Sequence, residues 1–295
     1  MKRSSPPLVI KSFAKLNLYL QVLNKRKDGF HNLSTLFARI DLADTIIFRK
    51  RRDSLIKIKC AHRQVPKDET NLCYRAAALL KQDLKLSFGI EIEIRKRIPV
   101  GAGLGGGSAN AASVLLGLNR FWNLNLSQAR LVKLGAKLGS DVPFFIYEMK
   151  FALGSQRGDK IKPLSSLDKL KLWFILVYPN FKVSTPLIYQ KFDTFSGLTR
   201  PSCNVKMLTS KLLKNGAQIE GKYFFNSLEI VTTTLYPEVN QVKNVLSGMG
   251  LEKIIMSGSG PAVFGLCADR KQAQELKNKL IKLHKSWQVF VVSTV

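Results

Sequence analysis

The chain has 295 residues, of which 45% are hydrophobic and 23% are charged. This composition is typical of a globular protein with a sizeable core and two ordinary domains, or one large one, and it excludes a disordered chain. The longest apolar run, "LWFILVY", is far too short to span a bilayer, and the N-terminal "MKRSSPPLVIKSFAK" has no apolar stretch of signal-peptide length. We therefore expect a cytoplasmic protein with no membrane partner.

The formal net charge is +27, from 47 Lys and Arg against 20 Asp and Glu. Such a surplus raises the local concentration of anionic ligands, of which phosphates are the obvious candidates. The basic residues are spread along the whole chain, without the aromatic-interleaved block of a single-strand nucleic-acid platform. We therefore expect a phosphate-bearing small molecule, and not a nucleic acid, as the partner.

Cysteine and histidine spacing indicates neither a zinc site nor a disulfide framework. No C-x-x-C pair and no ligand-like histidine spacing occurs. We expect free, mostly buried thiols at Cys60, Cys73, Cys203 and Cys267.

The first predicted element is a half-buried strand, "SFAKLNLYLQVL", whose polar face carries Lys15 and Asn17 side by side. Asp28-Gly29 predicts a turn. Residues 44–60 and 88–100 predict further strands, antiparallel because their alternation indicates one solvated face. Between them, residues 70–84 have helical spacing with Thr70 as the N-cap.

The second half predicts alternating helices and strands. One helix begins near Ser108, and another runs from a cap at Ser127 to a stop at Gly139. The segment "SDVPFFIY" is predicted to turn into a strand. Beyond about Gly158, we predict strand "KLWFILVYP", helical stretches to about Gly250, strand "KIIMSGSGPAVFGLC", helix "RKQAQELKNKLIKLH" and strand "QVFVVSTV".

The stretch "PVGAGLGGGSANAASVLLGL" has five glycines within residues 101–107 and contains a literal G-x-G-x-x-G. A dinucleotide site would need a strand that is apolar on both faces before the loop and an acidic residue about 20 positions after it. Isoleucines alternate with charged residues in the preceding strand, and no Asp or Glu occurs between Glu93 and Asp141. The Walker pattern also fails, because no lysine follows Gly107.

Backbone N–H groups aimed at an anion from a helix N-terminus remain as the favoured interpretation of this loop. The acid-free interval would not repel a polyphosphate. A merely structural turn needs only one or two glycines. Ser108 can cap the helix, bind a phosphate oxygen, or do both.

Several motifs together resemble the GHMP kinase superfamily, which includes galactokinase and the homoserine, mevalonate and phosphomevalonate kinases. "PVGAGLGGGSANAA" resembles its second motif, and "SGSGPAVFG" resembles its third. "AKLNLYLQVLNKRKDGFHNLSTLF" and "GSDVPFF" are similar to members that phosphorylate a CDP-linked methylerythritol of the non-mevalonate isoprenoid pathway. The resemblance covers nearly the full chain, with weak motif support only from about Leu187 to Leu251.

The resemblance implies an α+β protein with the two-domain GHMP kinase fold. Residues 1–158 would form an N-terminal ATP-binding domain like domain 2 of ribosomal protein S5. Residues 159–295 would form a ferredoxin-like domain on the substrate side. The implied reaction moves the γ-phosphoryl group of ATP, accompanied by Mg²⁺, onto the 2-hydroxyl of the CDP-alcohol.

The same resemblance implies a role for each candidate residue. Asp141 would be the base, and Lys15 would keep it ionised and stabilise charge on the transferred group. The expected ATP contacts are Pro99, Val100, Gly101, Ala102, Gly103, Leu104, Gly105, Gly106, Gly107 and Ser108, with Lys96 and Asn71 near the adenosine. The expected substrate contacts are Asn17, Phe30, His31, Thr185 and Pro186. The family usually has tyrosine at the position of Phe30. Phenylalanine keeps the stacking face but lacks the hydroxyl.

Taken without the resemblance, seven of these residues have another interpretation. Asp141 could form a turn or a helix cap, Lys15 could be an ordinary solvated lysine, and Phe30 could belong to the core. The remaining four could be a surface charge (Lys96), a helix start (Asn71) and a turn (Thr185, Pro186). No Mg²⁺ ligand is identified beyond Ser108, Asp141 or water.

Two competing functions remain open at this point. A sibling kinase would act on mevalonate, homoserine or a sugar and would gain nothing from a cytidine group. A non-enzymatic anion or nucleic-acid binder would use the same fold and the charge of +27, with a steep salt dependence and no need for Asp141.

Overall fold

Two long strands, β1 (Leu8–Lys25) and β2 (His31–Arg51), open the computed structural model, which describes residues 6–197 and 201–295. These residues divide into two compact units. The first unit comprises residues 6–14, Leu42–Val100 and Gly105–Glu148. The second unit comprises Lys15–Asp41, Gly101–Leu104 and Met149–Val295 apart from residues 198–200. Strands β1 and β2 contribute residues to both units. The boundary expected between residues 158 and 159 stays a prediction.

The sheet of the first unit follows from alternating isoleucines. Strand β4 pairs antiparallel with the second half of β2, with Ile92 opposite Phe48, as predicted. Strand β3 pairs parallel with β4, so the antiparallel prediction was wrong for that segment. The reason is topological, because helix α1 connects β3 to β4 and a helical crossover joins parallel strands. These elements are β3 (Ile56–Cys60), α1 (Leu72–Asp83) and β4 (Gly89–Arg95).

Three further helices complete the first unit: α2 (Gly106–Phe121), α3 (Gln128–Leu138) and α4 (Val142–Ile146). The caps predicted for α3 are confirmed, because Ser127 accepts the backbone N–H of Arg130 and Gly139 ends the helix. The N-cap of α1 is Asn71, which accepts the N–H of Cys73, and not Thr70, whose hydroxyl bonds to Asp68.

The segment "SDVPFFIY" forms helix α4 and not the predicted strand. Proline is favoured in the first turn of a helix, and Pro143 occupies that position here. All five residues of α4 are buried, and α4 packs against α2 and α3. A short apolar run with no clear periodicity is compatible with either a buried strand or a buried helix.

The second unit contains two groups of strands and five helices within its described residues. Strand β5 pairs antiparallel with the first half of β2 and with β6, while β8 pairs parallel with β1. A separate antiparallel sheet has the order β11-β7-β10-β9. The elements are β5 (Phe151–Gln156), β6 (Lys160–Pro163), β7 (Trp173–Tyr178), α5 (Thr185–Phe192), α6 (Val205–Asn215), β8 (Phe225–Asn226), α7 (Glu229–Leu235), α8 (Pro237–Gly248), β9 (Ile254–Met256), β10 (Val263–Cys267), α9 (Arg270–Leu283) and β11 (Gln288–Ser293).

The stretch "KIIMSGSGPAVFGLC" forms two strands, β9 and β10, where one was predicted. The chain between them bends at Gly258 and Gly260, whose φ angles are +58° and +81°. Glycine adopts such angles readily, whereas other residues pay a steric cost. The segment joining the strands is therefore a tight loop, which brings small residues close to neighbouring backbone.

The four cysteines are free and buried, as the sequence predicts. Burial raises the pKa of the Cys73 thiol to about 12 and that of Cys267 to about 11. Within residues 6–197 and 201–295, no helix is both long and apolar enough to cross a membrane.

Candidate active site

The glycine-rich loop adopts a conformation that requires glycine at alternate positions. Gly101, Gly103 and Gly105 have φ angles of +72°, +77° and +69°. The residues between them, Ala102 and Leu104, are 2% and 1% exposed. Buried apolar side chains therefore anchor the loop, and at these two positions only backbone groups can contact a ligand.

The first half of the loop lies against the β9–β10 loop in the second unit. A Cβ atom on Gly103 would lie 2.0 Å from the backbone oxygen of Ser257 and 3.1 Å from the nitrogen of Gly260. The backbone N–H of Ala262 donates to the oxygen of Ala102 at 3.2 Å. The two glycine-rich segments thus pack backbone to backbone, at a distance that a side chain would prevent.

Lys15 joins this contact from strand β1. Its Nζ donates to Asn17 Oδ1 at 2.5 Å and to the Gly103 oxygen at 3.0 Å, and Ser257 Oγ donates to the same oxygen at 3.1 Å. Lys15 and Asn17 share a face of the strand, as predicted, but they are only 4% and 3% exposed. The solvated face expected for Lys15 was wrong, because both faces of β1 are covered from Ala14 to Leu20.

Asn17 is itself held on both sides of its amide. Its Nδ2 donates to Thr35 Oγ1 at 2.8 Å, and Thr35 Oγ1 donates to the Tyr19 oxygen at 2.6 Å. The Oδ1 of Asn17 therefore faces Lys15, which fixes the ammonium in one place. Thr35 was missed in the sequence, because nothing local in β2 marks it as the neighbour of Asn17.

Thr185 and Pro186 lie in the first turn of helix α5 and not in the loop or turn expected for them. Ser184 caps this helix through the N–H of Leu187, and proline suits the first turn. The hydroxyls of Thr185 and Ser259 form a hydrogen bond of 2.7 Å, which ties the start of α5 to the β9–β10 loop.

Phe30 and His31 follow the Asp28-Gly29 turn and belong to an aromatic cluster in the second unit. Phe30 is 50% exposed, so the core interpretation of this residue is wrong. The guanidinium of Arg157 lies over the Phe30 ring at 5.1 Å. The His31 ring is stacked on Tyr189 with centroids 5.3 Å apart. The cluster presents flat ring surfaces together with an imidazole, which is a combination suited to a nucleobase.

The His31 imidazole is fixed by a carboxylate that sequence inspection missed. His31 Nε2 lies 2.6 Å from Asp193 Oδ1, and Lys25 Nζ donates to Asp193 Oδ2 at 2.6 Å. The hydrogen bonds from Lys25 and His31 hold the pKa of the Asp193 carboxyl below its ordinary value. The stabilisation from this carboxylate is therefore present at neutral pH and is lost as the pH falls through that lowered pKa.

Helix α2 begins at Gly106, two residues before the predicted start near Ser108. Its N-cap is Gly105, and no side chain caps the helix, so Ser108 does not act as the cap. The first turn also contains no acidic residue. The first N–H groups of α2 and the Ser108 hydroxyl are therefore not used in a side-chain cap, as an anion site requires.

Lys96 is not a surface charge. Its ammonium contacts the carboxylate of Asp44, and their side chains are 6% and 0% exposed. Asp44 Oδ1 also accepts the backbone N–H groups of Arg97 and Ile98 at 2.7 and 2.9 Å, and Oδ2 accepts Asn110 Nδ2 at 2.9 Å. Asp44 thus fixes the chain that enters the glycine loop and the first turns of α2. It was missed because it lies 52 residues from Lys96 in sequence.

Asn71 and Asp141 both stand at helix starts in the first unit, with different uses of their side chains. Asn71 caps α1, and its Nδ2 donates to the Pro66 oxygen at 2.6 Å. Asp141 occupies the N-cap position of α4, but its side chain makes no capping hydrogen bond. Asp141 therefore has the backbone position of a helix cap, but its carboxylate does not cap the helix.

Among the described residues, no group of three or more His, Cys, Asp or Glu side chains could hold a metal ion. The candidate residues are distributed over both units. The second unit contains Lys15, Asn17, Phe30, His31, Gly101, Ala102, Gly103, Leu104, Thr185 and Pro186. The first unit contains Asn71, Lys96, Pro99, Val100, Gly105, Gly106, Gly107, Ser108 and Asp141.

Comparison with known proteins gives consistent matches over nearly the whole chain. The model of the GHMP kinases N terminal domain matches residues 71–149, and that of the GHMP kinases C terminal matches residues 208–285. A protein of Syntrophus aciditrophicus named 4-diphosphocytidyl-2-C-methyl-D-erythritol kinase is 39% identical over 98% of this chain and 99% of its own. A Bacillus subtilis protein of the same name is 40% identical over 92% of this chain and 91% of its own.

The chain belongs to the GHMP kinase family. A crystal structure of 4-(cytidine 5'-diphospho)-2C-methyl-D-erythritol kinase has a TM-score of 0.80 and 32% identity, covering 98% of this GHMP kinase and 100% of that chain. A mevalonate kinase structure has a TM-score of 0.75 at 16% identity over 97% of this chain and 99% of its own, which shows a shared fold. The predicted α+β class and two-domain GHMP kinase fold are confirmed.

The close approach at Gly103 predicts a large effect of Gly103→Ala. Alanine would be strained at a φ of +77°, and its Cβ would collide with the Ser257 backbone. We expect the free energy of unfolding to fall by at least about 2 kcal/mol, measured by urea denaturation. Gly248→Ala is the control, because a Cβ there meets nothing within 4 Å. An equal loss of stability in both variants would contradict the packing described for Gly103.

The Asp44 contacts predict that even Asp44→Asn is strongly destabilising. All four partners of the carboxylate are donors, so either orientation of the amide turns an NH₂ group toward a donor. The variant also leaves the Lys96 ammonium buried without its counter-charge, and we expect a loss of about 3–5 kcal/mol in urea denaturation. Adding Lys96→Met should restore part of this loss. Wild-type stability in Asp44→Asn would contradict the role assigned to the carboxylate.

Proposed function

We propose that this chain transfers the γ-phosphoryl group of ATP to the 2-hydroxyl of 4-diphosphocytidyl-2-C-methyl-D-erythritol, within non-mevalonate isoprenoid biosynthesis. The observation that carries the proposal is the similarity to kinases of that name, at 39–40% identity over 90–98% of this chain. Residues of the first unit have groups suited to ATP, and residues of the second unit have groups suited to the acceptor alcohol.

The ATP end is supported by the first unit. Uncapped N–H groups at the start of α2 suit the phosphates, because the positive end of a helix dipole favours anions. A cavity of about 890 Å³, lined by β3 and β4 residues, lies at Lys96. Its size suits a nucleoside, and its lining combines apolar strand residues with several cations. We assign the adenosine to this cavity, with Lys96 and Asn71 as the predicted neighbours.

The acceptor end is supported by the second unit. Phe30 and Tyr189 offer ring surfaces for stacking, and His31 offers a nitrogen for the edge of the cytosine. Asn17 and Thr185, both predicted substrate contacts, lie in the same unit, and we assign Asn17 to the alcohol and Thr185 to the diphosphate linkage. This division favours a substrate that carries a cytidine group over a bare alcohol.

The chemical step needs positioning, charge neutralisation and a proton acceptor. The 2-hydroxyl oxygen forms a bond to the γ-phosphorus while the bond from that phosphorus to the β–γ bridging oxygen breaks, and ADP leaves. We assign Asp141 to accept the hydroxyl proton and Lys15 to stabilise the charge on the transferred group. The bonds of Lys15 to Asn17 and Gly103 support this role, because they fix the ammonium before any ligand arrives.

Mg²⁺ would accompany ATP and neutralise charge on the β- and γ-phosphates. This ion usually keeps several waters and takes only one or two protein carboxylates together with phosphate oxygens. Ser108 fits that requirement, because it would supply a hydroxyl oxygen at the start of α2, with phosphate oxygens and water as the other ligands. No dedicated cluster of acidic ligands is required.

The substrate assignment predicts a strong preference among acceptor alcohols. With ATP and Mg²⁺ in excess, the CDP-alcohol should be phosphorylated at least about 100-fold more efficiently than mevalonate or homoserine, because neither carries a base for the His31 cluster. Release of ADP in a coupled assay measures this preference. Comparable turnover of mevalonate or homoserine would favour a sibling kinase, and no turnover of any alcohol would contradict the proposal.

The base assignment predicts that Asp141→Asn lowers kcat by about 10²–10⁴-fold, because the amide cannot accept the hydroxyl proton. Binding of ADP, measured by calorimetry, should change little. Asp168→Asn is the matched control, since Asp168 is exposed and lies outside the assigned residues. If Asp141→Asn kept kcat within tenfold of wild type, Asp141 would not be the base.

A further inference from the structure

Asp193 lies outside the residues assigned to phosphoryl transfer. It contacts His31, which is assigned to the cytosine of the substrate. We propose that Asp193 is a positioning residue that fixes the proton of His31 on Nε2 and so makes the enzyme select cytosine over uracil. The inference rests on the proposed function, in which His31 contacts the base of a pyrimidine nucleoside diphosphate.

The orientation of His31 is set from several sides. Its side chain is 5% exposed, and Nε2 lies 2.6 Å from Asp193 Oδ1. Tyr189 stacks on one face of the ring at 5.3 Å, and Phe192 meets the ring at an angle of 84° with centroids 6.2 Å apart. The ring is therefore held by packing as well as by the carboxylate, and it does not rotate to exchange its two nitrogens.

The carboxylate decides which nitrogen carries the proton. An ionised Asp193 can only accept, so Nε2 must donate to it. Lys25 donates to the other carboxylate oxygen, Oδ2, at 2.6 Å, so Oδ1 is the oxygen that faces the imidazole. In the neutral imidazole, a proton on Nε2 leaves Nδ1 with a lone pair. His31 makes no hydrogen bond through Nδ1 to any residue in 6–197 or 201–295.

An acceptor at Nδ1 distinguishes the two pyrimidines by their position 4. Cytosine has an amino group there, which donates, whereas the uracil family has a carbonyl oxygen, which accepts. Nδ1 therefore forms a hydrogen bond with cytosine and faces an oxygen lone pair with uracil. A buried polar group left against the wrong partner costs more than a missing contact, so the tautomer of His31 discriminates between the bases.

Lys25 makes the substitution Asp193→Asn a directed test. The ammonium of Lys25 has only donors, so the amide oxygen must turn toward Lys25 and the amide NH₂ toward His31. Nε2 must then accept, and the proton moves to Nδ1. The variant keeps the size of the side chain and reverses the tautomer, which should favour the UDP-linked analogue.

The experiment compares kcat/KM for the CDP-linked alcohol and its UDP-linked analogue, with ATP saturating. We expect the wild type to prefer the CDP-linked alcohol by at least about tenfold, and Asp193→Asn to shift this ratio by about 10–100-fold toward the UDP-linked analogue. Nitrogen-15 NMR of the imidazoles reports the tautomer independently of activity. It should show a protonated Nε2 of His31 in the wild type and a protonated Nδ1 in Asp193→Asn.

Two further variants separate this effect from a general loss of structure. Adding Lys25→Met to Asp193→Asn frees the amide to turn its oxygen to Nε2, which should move the substrate ratio back toward wild type. Asp83→Asn removes a comparable carboxylate, 16% exposed and paired with Arg130, and should leave the ratio unchanged. An unchanged ratio and tautomer in Asp193→Asn, or an equal shift in Asp83→Asn, would overturn the inference.

Failure of the proposed function has a different result. If the wild type turned over neither pyrimidine-linked alcohol, the assignment of the substrate would be wrong. The wild type could instead phosphorylate the CDP-linked alcohol while the ratio of kcat/KM for the CDP-linked and UDP-linked alcohols did not change with the tautomer of His31. In that case only the role of Asp193 would be wrong.

Discussion

The backbone contact between Gly103 and Ser257 is the constraint on which the candidate residues of the second unit depend. It brings the start of the glycine-rich loop against the β9–β10 loop at a distance that excludes any Cβ atom. The Gly103 oxygen then accepts from both Lys15 and Ser257. Three segments that are far apart in sequence therefore meet at one carbonyl group, and the position of the Lys15 ammonium follows from that meeting.

Two carboxylates, Asp44 and Asp193, also hold neighbouring polar side chains in place by accepting their hydrogen bonds. Asp44 accepts four donors in the first unit, and Asp193 accepts His31 and Lys25 in the second. A carboxylate surrounded only by donors has a single satisfactory arrangement, because no partner can exchange its role. In a chain with 20 acidic residues against 47 basic ones, such positions orient cations and imidazoles that would otherwise be mobile.

The sequence was sufficient at several places where structure depends on neighbouring residues. The caps of α3 are adjacent to their helix, and the shared face of Lys15 and Asn17 follows from the two-residue period of a strand. It was insufficient where distant segments decide the outcome. The apolar run in α4 has no clear periodicity, so the packing of α2 and α3 against it decides its conformation.

The same difference separates the candidate residues that could be found from those that were missed. His31 lies in a recognisable motif and Lys96 lies just before another, but their partners Asp193 and Asp44 lie 162 and 52 residues away. Neither aspartate has a local pattern that distinguishes it from an ordinary surface acid. Their importance comes from burial and from the donors around them, and both of these properties exist only in the folded chain.

Phe30 illustrates how an exposed ring can be held in place by its surroundings. The ring lacks the hydroxyl of a tyrosine, yet it is held at the turn by its backbone, since its oxygen accepts the N–H of Arg26 at 2.7 Å. Arg157 covers the ring at 5.1 Å and is itself fixed by Asp159 at 2.5 Å. A guanidinium over an aromatic ring is attracted by the ring electrons, so the ring orientation is set without a hydroxyl contact. The stacking surface therefore depends on Arg157 and Asp159 as much as on Phe30.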